Sequence, residues 1–301
     1  MTLIIDQVSK TYSNGVRALN QLSLTIANGM FGLLGPNGAG KSSLMRTIAT
    51  LQPADSGSIY YNGMSVFDNP LGLRKNLGYL PQEFGVYEGE SAESLLDYFA
   101  LLKGIVSKKS RLAQVDKVLE LTNLREARKQ KVTGFSGGMK RRFGIAQLLL
   151  NDPKLIIVDE PTAGLDPEER TRFLNVIRSI GTSNTVIFST HIVADVRELC
   201  QHLAIIDHGN VICEGNTKML IESLRDKIWQ TIIRPDQLST LSARYHVLSS
   251  SYLSDHSLTV RIHSNTMPLP IEGLQMEWSV ASTGLGDVYF NALGSMSLSN
   301  V

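Results

Sequence analysis

Residues 30–42 read MFGLLGPNGAGKS, and this stretch decides the fold. Met30–Leu34 is a continuous apolar run, which is typical of a strand buried on both faces of a parallel sheet. A glycine-rich turn follows it, and Ser43–Leu51 then suits a helix. The glycines let successive backbone N–H groups turn toward an anion, and the helix N-terminus favours negative charge. The stretch therefore predicts an α/β core that carries an anion-binding loop.

The turn matches the pattern of a P-loop, in which two glycines enclose four residues and Lys-Ser follows. Lys41 is expected to reach the β- and γ-phosphates of a nucleotide, and Ser42 to offer a hydroxyl to Mg²⁺, whose octahedral shell suits oxygen ligands. A glycine-rich turn without chemical meaning is the alternative, and the strand-to-helix setting favours nucleotide binding. The residues expected to contact the nucleotide here are Gly35, Pro36, Asn37, Gly38, Ala39, Gly40, Lys41, Ser42 and Ser43.

A second apolar strand, Leu155–Val158, ends in the carboxylates Asp159 and Glu160. Side chains alternate along a strand, so the two carboxylates point in different directions. In phosphoryl transfer one such group holds Mg²⁺ and another positions or activates water. We assign Asp159 to the metal and Glu160 to the water. Alone, such a pair is more often a solvated turn, and the P-loop gives it this meaning.

Composition narrows the class of protein. The chain has 301 residues, 43% of them hydrophobic, which is enough for a large packed domain and a smaller one. Its 29 basic residues nearly balance 28 acidic ones, so no nucleic acid is expected as a partner. Cys200 and Cys213 lack metal or redox spacing and indicate buried, reduced cytosolic thiols. We see no signal peptide, and the apolar runs fall far short of the roughly 18 residues of a membrane span.

The remaining pattern predicts three regions around the P-loop strand. Short alternating segments near the start indicate an antiparallel sheet: Leu3–Val8, Leu22–Ile26 and Ser58–Tyr61. Further buried parallel strands are expected at Thr185–Ser189 and Leu203–Ile206, and helices at Ser91–Gly104 and Ser110–Arg128. Beyond about residue 220 we expect a second domain, with strands Ile228–Ile233 and Leu258–Ile262 and helices Pro235–Ala243 and Asp287–Leu293. Ser249–Ser251 and Ser295–Val301 are expected to be loop and tail.

Residues 135–142 read FSGGMKRR. Together with the P-loop and the Asp159-Glu160 strand end, this segment resembles the signature motif of ABC ATPases, and the motif spacing is similar to that family from Met1 to about Leu220. The resemblance implies a P-loop NTPase core of the ABC type over residues 1–220. That core has an antiparallel β subdomain and a helical subdomain at about residues 84–150. Residues 221–301 then form a small C-terminal α+β domain.

The resemblance implies ATP and Mg²⁺ as cofactors and gives further residues their roles. Tyr12 corresponds to the aromatic that stacks on adenine, Gln82 to the glutamine that contacts Mg²⁺ and signals to the transporter, and His191 to the histidine at the γ-phosphate. Each has a plainer reading. Tyr12 can be an ordinary strand aromatic, Gln82 alone is a weak signal, and an unrelated histidine is more often a satisfied surface residue.

The resemblance of the signature also implies a dimer. Ser136, Gly137 and Gly138 at a helix start offer a further anion site. By resemblance they close on ATP held by a second copy, in a head-to-tail homodimer with two shared sites. Asp166 resembles the aspartate that crosses this interface. It also has a structural explanation, since Asp-Pro-Glu-Glu reads as an N-cap, a proline at the first helical position and an acidic first turn.

By resemblance, the chain is the ATP-hydrolysing subunit of an ABC transporter. It acts through a separate membrane permease and lies at the cytoplasmic face of the membrane by way of that partner. Gly-Gly-Met followed by Lys-Arg-Arg, with the chain extended past 220, resembles bacterial exporter ATPases for drugs, antibiotics or polysaccharides. Met139 and Phe135 stand where the family usually has glutamine and leucine. The alternatives are a soluble ABC mechanoenzyme acting on ribosomes or chromosomes, and a regulator that binds ATP without turnover.

The stretch from Lys103 to Arg142 carries twelve basic residues against three acidic ones. A solvated helical face is the default interpretation of such a run. The alternative is attraction to the anionic leaflet or to acidic loops of a partner.

Overall fold

The computed structural model describes residues 1–83, 85, 89–181, 184–271 and 276–298, the last four by their backbone only. The predicted helical subdomain therefore begins outside the described residues, at position 84. Contacts within the chain define two compact units, Met1–Val211 and Ile212–Val301. The division lies somewhat before the predicted boundary at 220. No helix of the described ranges has the length and apolar character that a membrane crossing requires.

The strands of the described residues are β1 (Thr2–Thr11), β2 (Arg17–Ala27), β3 (Gly29–Leu34), β4 (Ser56–Tyr61), β5 (Met64–Ser65), β6 (Leu77–Leu80), β7 (Leu155–Asp159), β8 (Thr185–Thr190), β9 (His202–Asp207), β10 (Asn210–Asn216), β11 (Ile228–Ile233), β12 (Val247–Tyr252), β13 (Leu258–His263) and β14 (Ser279–Val280). The helices are α1 (Lys41–Ile48), α2 (Pro70–Asn76), α3 (Ala92–Leu102), α4 (Lys108–Leu121), α5 (Gly137–Leu149), α6 (Pro167–Ile180), α7 (Val193–Leu199), α8 (Thr217–Ser223), α9 (Leu238–Ser242) and α10 (Leu285–Leu298).

A six-stranded sheet has the order β10-β9-β3-β8-β7-β6, and its strands β3, β6, β7, β8 and β9 lie within the first unit. The pairs of β3 with β8 and β9, of β7 with β8, and of β6 with β7 are parallel. Every residue of β7 and of β8 is buried, as their continuous apolar runs predict. The predicted parallel core is confirmed, and the sequence analysis had missed β6 within it.

The predicted antiparallel sheet is also confirmed, with the strand order β2-β1-β4-β5. Its inner face alternates with solvent-facing residues, so Leu3, Ile5 and Leu24 enter the same core as Leu44 and Met45 of α1. The helix that begins at the P-loop thus packs in one apolar core with this second sheet.

Serine side chains start the helices of the helical region. Ser91, Ser107 and Ser136 each accept a hydrogen bond from the backbone N–H three residues on. The helix predicted to reach Arg128 ends at Leu121, and this prediction was wrong. Asn123 lies inside the predicted range, but its backbone is left-handed, with φ at 53°, and this conformation does not continue a helix.

Most basic residues of the stretch from Lys103 to Arg142 bond to other groups of the chain. Lys103 donates to the carbonyls of Gln147, Leu148 and Leu150 at the end of α5, which satisfies groups that a helix terminus leaves open. Other members of the stretch also bond within the chain: Arg111, Lys117, Arg125, Arg128, Arg141 and Arg142. These internal bonds weaken the interpretation of the stretch as a membrane-attracting surface.

The second unit has an antiparallel sheet in the order β12-β13-β11-β14. Of these strands, the sequence pattern predicted β11 and β13. Ser249–Ser251, expected to be a loop, lies inside β12, because the serines pair with β13 while Leu248 is buried. The expected tail is helical through Leu298, and residues 299–301 lie outside the described residues.

A single carboxylate ties α10 to this sheet. Asp287 is buried and accepts from Arg261 at Oδ1 (Nε, 3.0 Å) and at Oδ2 (Nη2, 2.9 Å). Its Oδ2 also accepts from the backbone N–H of Gly284 at 2.8 Å, at the start of the helix. The carboxylate therefore serves both as a helix cap and as the partner of a strand residue.

Replacing Asp287 with Asn is expected to lower the unfolding free energy of the second unit by about 2–3 kcal/mol, because it leaves the Arg261 guanidinium partly buried and uncompensated. Trp229 and Trp278 are the only tryptophans of the chain, so fluorescence during urea unfolding reports on this unit. Asp236→Asn is the matched control, since it removes an exposed Arg234–Asp236 pair of the same unit. Equal urea midpoints for the two variants would contradict the assigned role.

Candidate functional site

Four neighbouring strands end at one edge of the parallel sheet. Leu80, Val158 and Phe188 lie side by side in the register, and Leu34 lies beside Thr190. Because the carboxyl ends of parallel strands meet at one edge, the segments that follow these strands are neighbours, as in other α/β ligand sites. Those segments carry Gln82, Asp159, Glu160, His191 and Gly35–Ser42.

The P-loop closes around its own lysine. Gly40 precedes α1 with φ at 104°, and a Cβ there would lie 2.3 Å from the carbonyl oxygen of Ala18, so the position requires glycine. Lys41 is buried, and its Nζ donates to the carbonyls of Gly35 (2.7 Å) and Pro36 (3.0 Å). The loop therefore holds the ammonium group at its centre.

The structure brings Glu160 together with Lys41 and His191. The Glu160 side chain is 5% exposed, with Oε2 2.7 Å from Nδ1 of His191. Its Oε1 lies 3.2 Å from Nζ of Lys41, in an ion pair that lacks hydrogen-bond geometry. The backbone of Glu160 is left-handed, with φ at 47°, and its N–H donates to the carbonyl of Ser189 at 2.9 Å. A non-glycine residue held in this region is strained and is often found at functional sites.

Asp159 and Ser189 present buried oxygens without partners. The two residues are paired in the register of β7 and β8. Asp159 Oδ1 and Ser189 Oγ find no hydrogen-bond partner among the described residues. Burial raises the pKa of Tyr79, and the charge of the Asp159 carboxylate raises it further. Carboxylate and hydroxyl oxygens are the ligands that suit Mg²⁺, so these two oxygens are candidates for a metal contact.

Tyr12 lies beside the helix of the P-loop. Its hydroxyl is 2.9 Å from Oγ of Ser43 and donates to Oε1 of Gln52 at 3.2 Å. Its backbone N–H donates to the carbonyl of Val16 and so closes the turn after β1. The ring is thus fixed next to the residues that follow the anion-binding turn.

The signature residues begin α5. Ser136 is its N-cap, accepting from the N–H of Met139 at 3.2 Å. A Cβ at Gly138 would lie 2.3 Å from the carboxyl group of Glu169, so a side chain there would displace that carboxylate. Among the hydrogen bonds of the described residues, none joins Ser136 to the P-loop.

Asp166 is the N-cap of α6, as predicted, and its Oδ1 accepts from the N–H of Glu169 at 2.8 Å. Gln82 is exposed, and its carbonyl accepts from Nη1 of Arg141 in α5 at 2.6 Å. The sequence analysis missed this bond, as well as Ser189 and a buried carboxylate at Asp195. A polar residue inside an otherwise apolar helical or strand pattern was the available signal for both buried groups.

Comparison with known proteins identifies relatives of the chain. The sequence profile of the ABC transporter family matches residues 19–163. The linearmycin resistance ATP-binding protein of Bacillus subtilis is 36% identical over 73% of this chain and 70% of its own length. The doxorubicin resistance ATP-binding protein of Mycobacterium tuberculosis is 32% identical over 92% of this chain and 84% of its own.

Solved structures show the same fold. An ATP-binding subunit of an ABC transporter has a TM-score of 0.66 and 27% identity, covering 74% of this chain and 93% of that one. A dimeric ATP-binding cassette bound to ADP and Pi has a TM-score of 0.65 and 24% identity, covering 71% and 98%.

The chain belongs to the ABC transporter ATP-binding proteins. It is a subunit that binds and hydrolyses ATP to power transport. The resistance proteins named above do not favour the mechanoenzyme alternative.

Proposed function

We propose that this chain drives export through a separate membrane subunit, and that it hydrolyses ATP at two sites shared between the copies of a head-to-tail dimer. One observation carries the catalytic part of the proposal. A buried glutamate at the sheet edge has one oxygen facing the P-loop ammonium and the other bonded to a histidine. In this proposal the carboxylate faces the γ-phosphate that Lys41 binds, which suits a group that positions or activates water.

In this proposal the residues of the sheet edge divide the work. Lys41 and the backbone N–H groups of the P-loop bind the β- and γ-phosphates, with Tyr12 against adenine. Ser42, Gln82 and Asp159 hold Mg²⁺, which neutralises phosphate charge when bound. The unpaired Asp159 Oδ1 supports this ligand set. Glu160 positions water, and His191 orients Glu160 and approaches the γ-phosphate.

The second copy supplies Ser136, Gly137, Gly138 and Asp166. In support, Ser136 and its glycines form a helix N-terminus, a favourable place for an anion, and the described hydrogen bonds connect Ser136 to no part of its own P-loop. A structural relative with the same fold is itself dimeric.

The direction of transport is proposed from the relatives. Besides the two resistance proteins, Nod factor export ATP-binding protein I of Rhizobium meliloti is 36% identical over 80% of this chain. Exposed apolar side chains near the end of α3, Leu101, Leu102 and Val106, offer a contact surface for the membrane subunit. A neighbouring reading frame with several apolar spans of about 20 residues is expected to encode that subunit.

The C-terminal residues, from about 221 on, are proposed as an accessory domain for dimer contacts or regulation. The support is their own apolar core, which includes Ile233, Val260 and Trp278, and the lack of any nucleotide motif in their sequence. Small modules of this size are marginal alone, so they commonly dock on a partner.

Glu160→Gln is expected to lower kcat for ATP hydrolysis by about 10²–10⁴-fold, because it removes the base but keeps the shape of the side chain. The affinity for ATP should change little. Sedimentation with ATP and Mg²⁺ should then show a dimer that the parent protein does not accumulate. Glu168→Gln, at an exposed position of the first turn of α6, is the matched control and should keep full turnover. Near-parental turnover of Glu160→Gln would refute the assignment.

Mixing Lys41→Ala chains with Ser136→Arg chains tests the shared sites. Each heterodimer retains one site with an intact P-loop and an intact signature, so a one-to-one mixture should recover about a quarter of parental activity. Either variant alone should be inactive. Absence of recovery, with heterodimers demonstrated by differently tagged chains, counts against the head-to-tail arrangement.

The fragment Met1–Leu220 tests the proposed accessory domain. It should bind ATP with parental affinity, because the predicted nucleotide contacts all precede its end, while its dimerisation or its activity with the membrane subunit changes. Circular dichroism verifies that the fragment is folded. Loss of ATP binding by a folded fragment would reject the proposed division of the chain.

A further inference from the structure

A fully buried carboxylate in α7 has no part in the chemistry proposed above. Asp195 is 0% exposed and lies in the first turn of its helix. Its Oδ2 accepts from Oγ1 of Thr162 at 2.5 Å. Its Oδ1 accepts from Nε of Arg170 at 2.7 Å, and Nη2 of the same guanidinium lies 2.5 Å away. A buried carboxylate with this many close donors has little freedom to move.

The two partners of Asp195 lie on either side of one loop. Thr162 is two residues after Glu160, and it is buried. Arg170 lies in the first turn of α6, where its N–H donates to the carbonyl of Asp166 at 2.9 Å. One carboxylate therefore holds both ends of the loop between Glu160 and Asp166.

The same carboxylate is also linked to His191, which lies four residues before it in the chain. Since Nδ1 of His191 bonds Glu160, and Glu160 precedes Thr162 by two residues, the contacts form a closed ring. A ring of this kind removes relative freedom between the two segments that carry Glu160 and His191. Reacting groups must be held to a fraction of an ångström for efficient transfer.

Packing of α6 against α7 does not depend on this carboxylate alone. Arg178 of α6 bonds Glu198 of α7 at 2.8 Å, with both side chains almost half exposed. Val196 and Leu199 add apolar burial on α7. The two helices thus have a second ion pair that touches neither loop, and this pair provides a comparison.

We propose that Asp195 is a positioning residue for ATP hydrolysis. Through Thr162 it fixes the segment that carries Glu160, and through Arg170 it fixes the start of α6 and with it Asp166. This inference rests on the proposed roles of Glu160 and Asp166. It assigns to Asp195 no contact with ATP or with water.

Thr162→Val and Asp195→Asn test the inference in the full chain, with kcat and KM measured by phosphate release. Each variant is expected to lower kcat by about tenfold or more with KM for ATP within about threefold, because loss of positioning affects the reacting geometry more than ground-state binding. Thr162→Ser retains the hydroxyl and should restore kcat to within about twofold of the parent. The double variant should lose less than the product of the single effects.

Glu198→Gln is the matched control, since it removes the other ion pair between α6 and α7, and its kcat should equal that of the parent. Parental kcat in Thr162→Val, or an equal loss in Glu198→Gln, would overturn the inference. The Thr162 pair of variants decides the matter even where Asp195→Asn does not fold. If Glu160→Gln loses turnover while Thr162→Val keeps it, this inference alone fails. If Glu160→Gln keeps turnover, the proposed catalytic role fails instead.

Discussion

The in-register parallel pairing of β6, β7, β8 and β3 is the constraint on which the site depends. β7 and β8 are buried along their whole length, and β3 and β6 in part, so the sheet fixes the height at which each strand ends. Charged residues lie at the last position of a strand or directly after it, as Asp159 and Glu160 do at the end of β7. Chain segments distant in the sequence therefore meet at one edge without any direct attraction between them.

That edge concentrates charge where solvent is scarce. Lys41, Asp159, Glu160 and Asp195 are all almost inaccessible to water. Removing ions from water costs several kcal/mol each, so each of them needs a close donor, a counter-charge or a bound group. Asp195 has its partners within the chain. Asp159 differs from it, because its Oδ1 has no hydrogen-bond partner among the described residues.

The parallel core and the residues of the candidate site could be predicted from the sequence because each depends on a short local pattern. The apolar runs, the P-loop and the Asp-Glu strand end can each be recognised within ten residues or fewer. Contacts between residues far apart in the sequence have no such local pattern. The sequence around Asp195, for example, does not indicate its hydrogen bond with Thr162, which lies 33 positions away. The serines of β12 were predicted to be a loop because serine alone does not indicate a strand. They form one through their pairing with β13, a contact that the local sequence does not show. The end of α4 was missed because asparagine tolerates the left-handed region as well as a helix.

The left-handed backbone of Glu160 places stability and activity in opposition at one position. Most L-residues there cost roughly 1–2 kcal/mol relative to ordinary backbone, whereas glycine avoids that cost. Glycine, however, brings no carboxylate. Under the proposed role of Glu160, selection for stability alone would favour glycine at this position, and selection for turnover would oppose it. The free-energy cost of this backbone conformation must therefore be offset by the burial of the neighbouring strands β7 and β8.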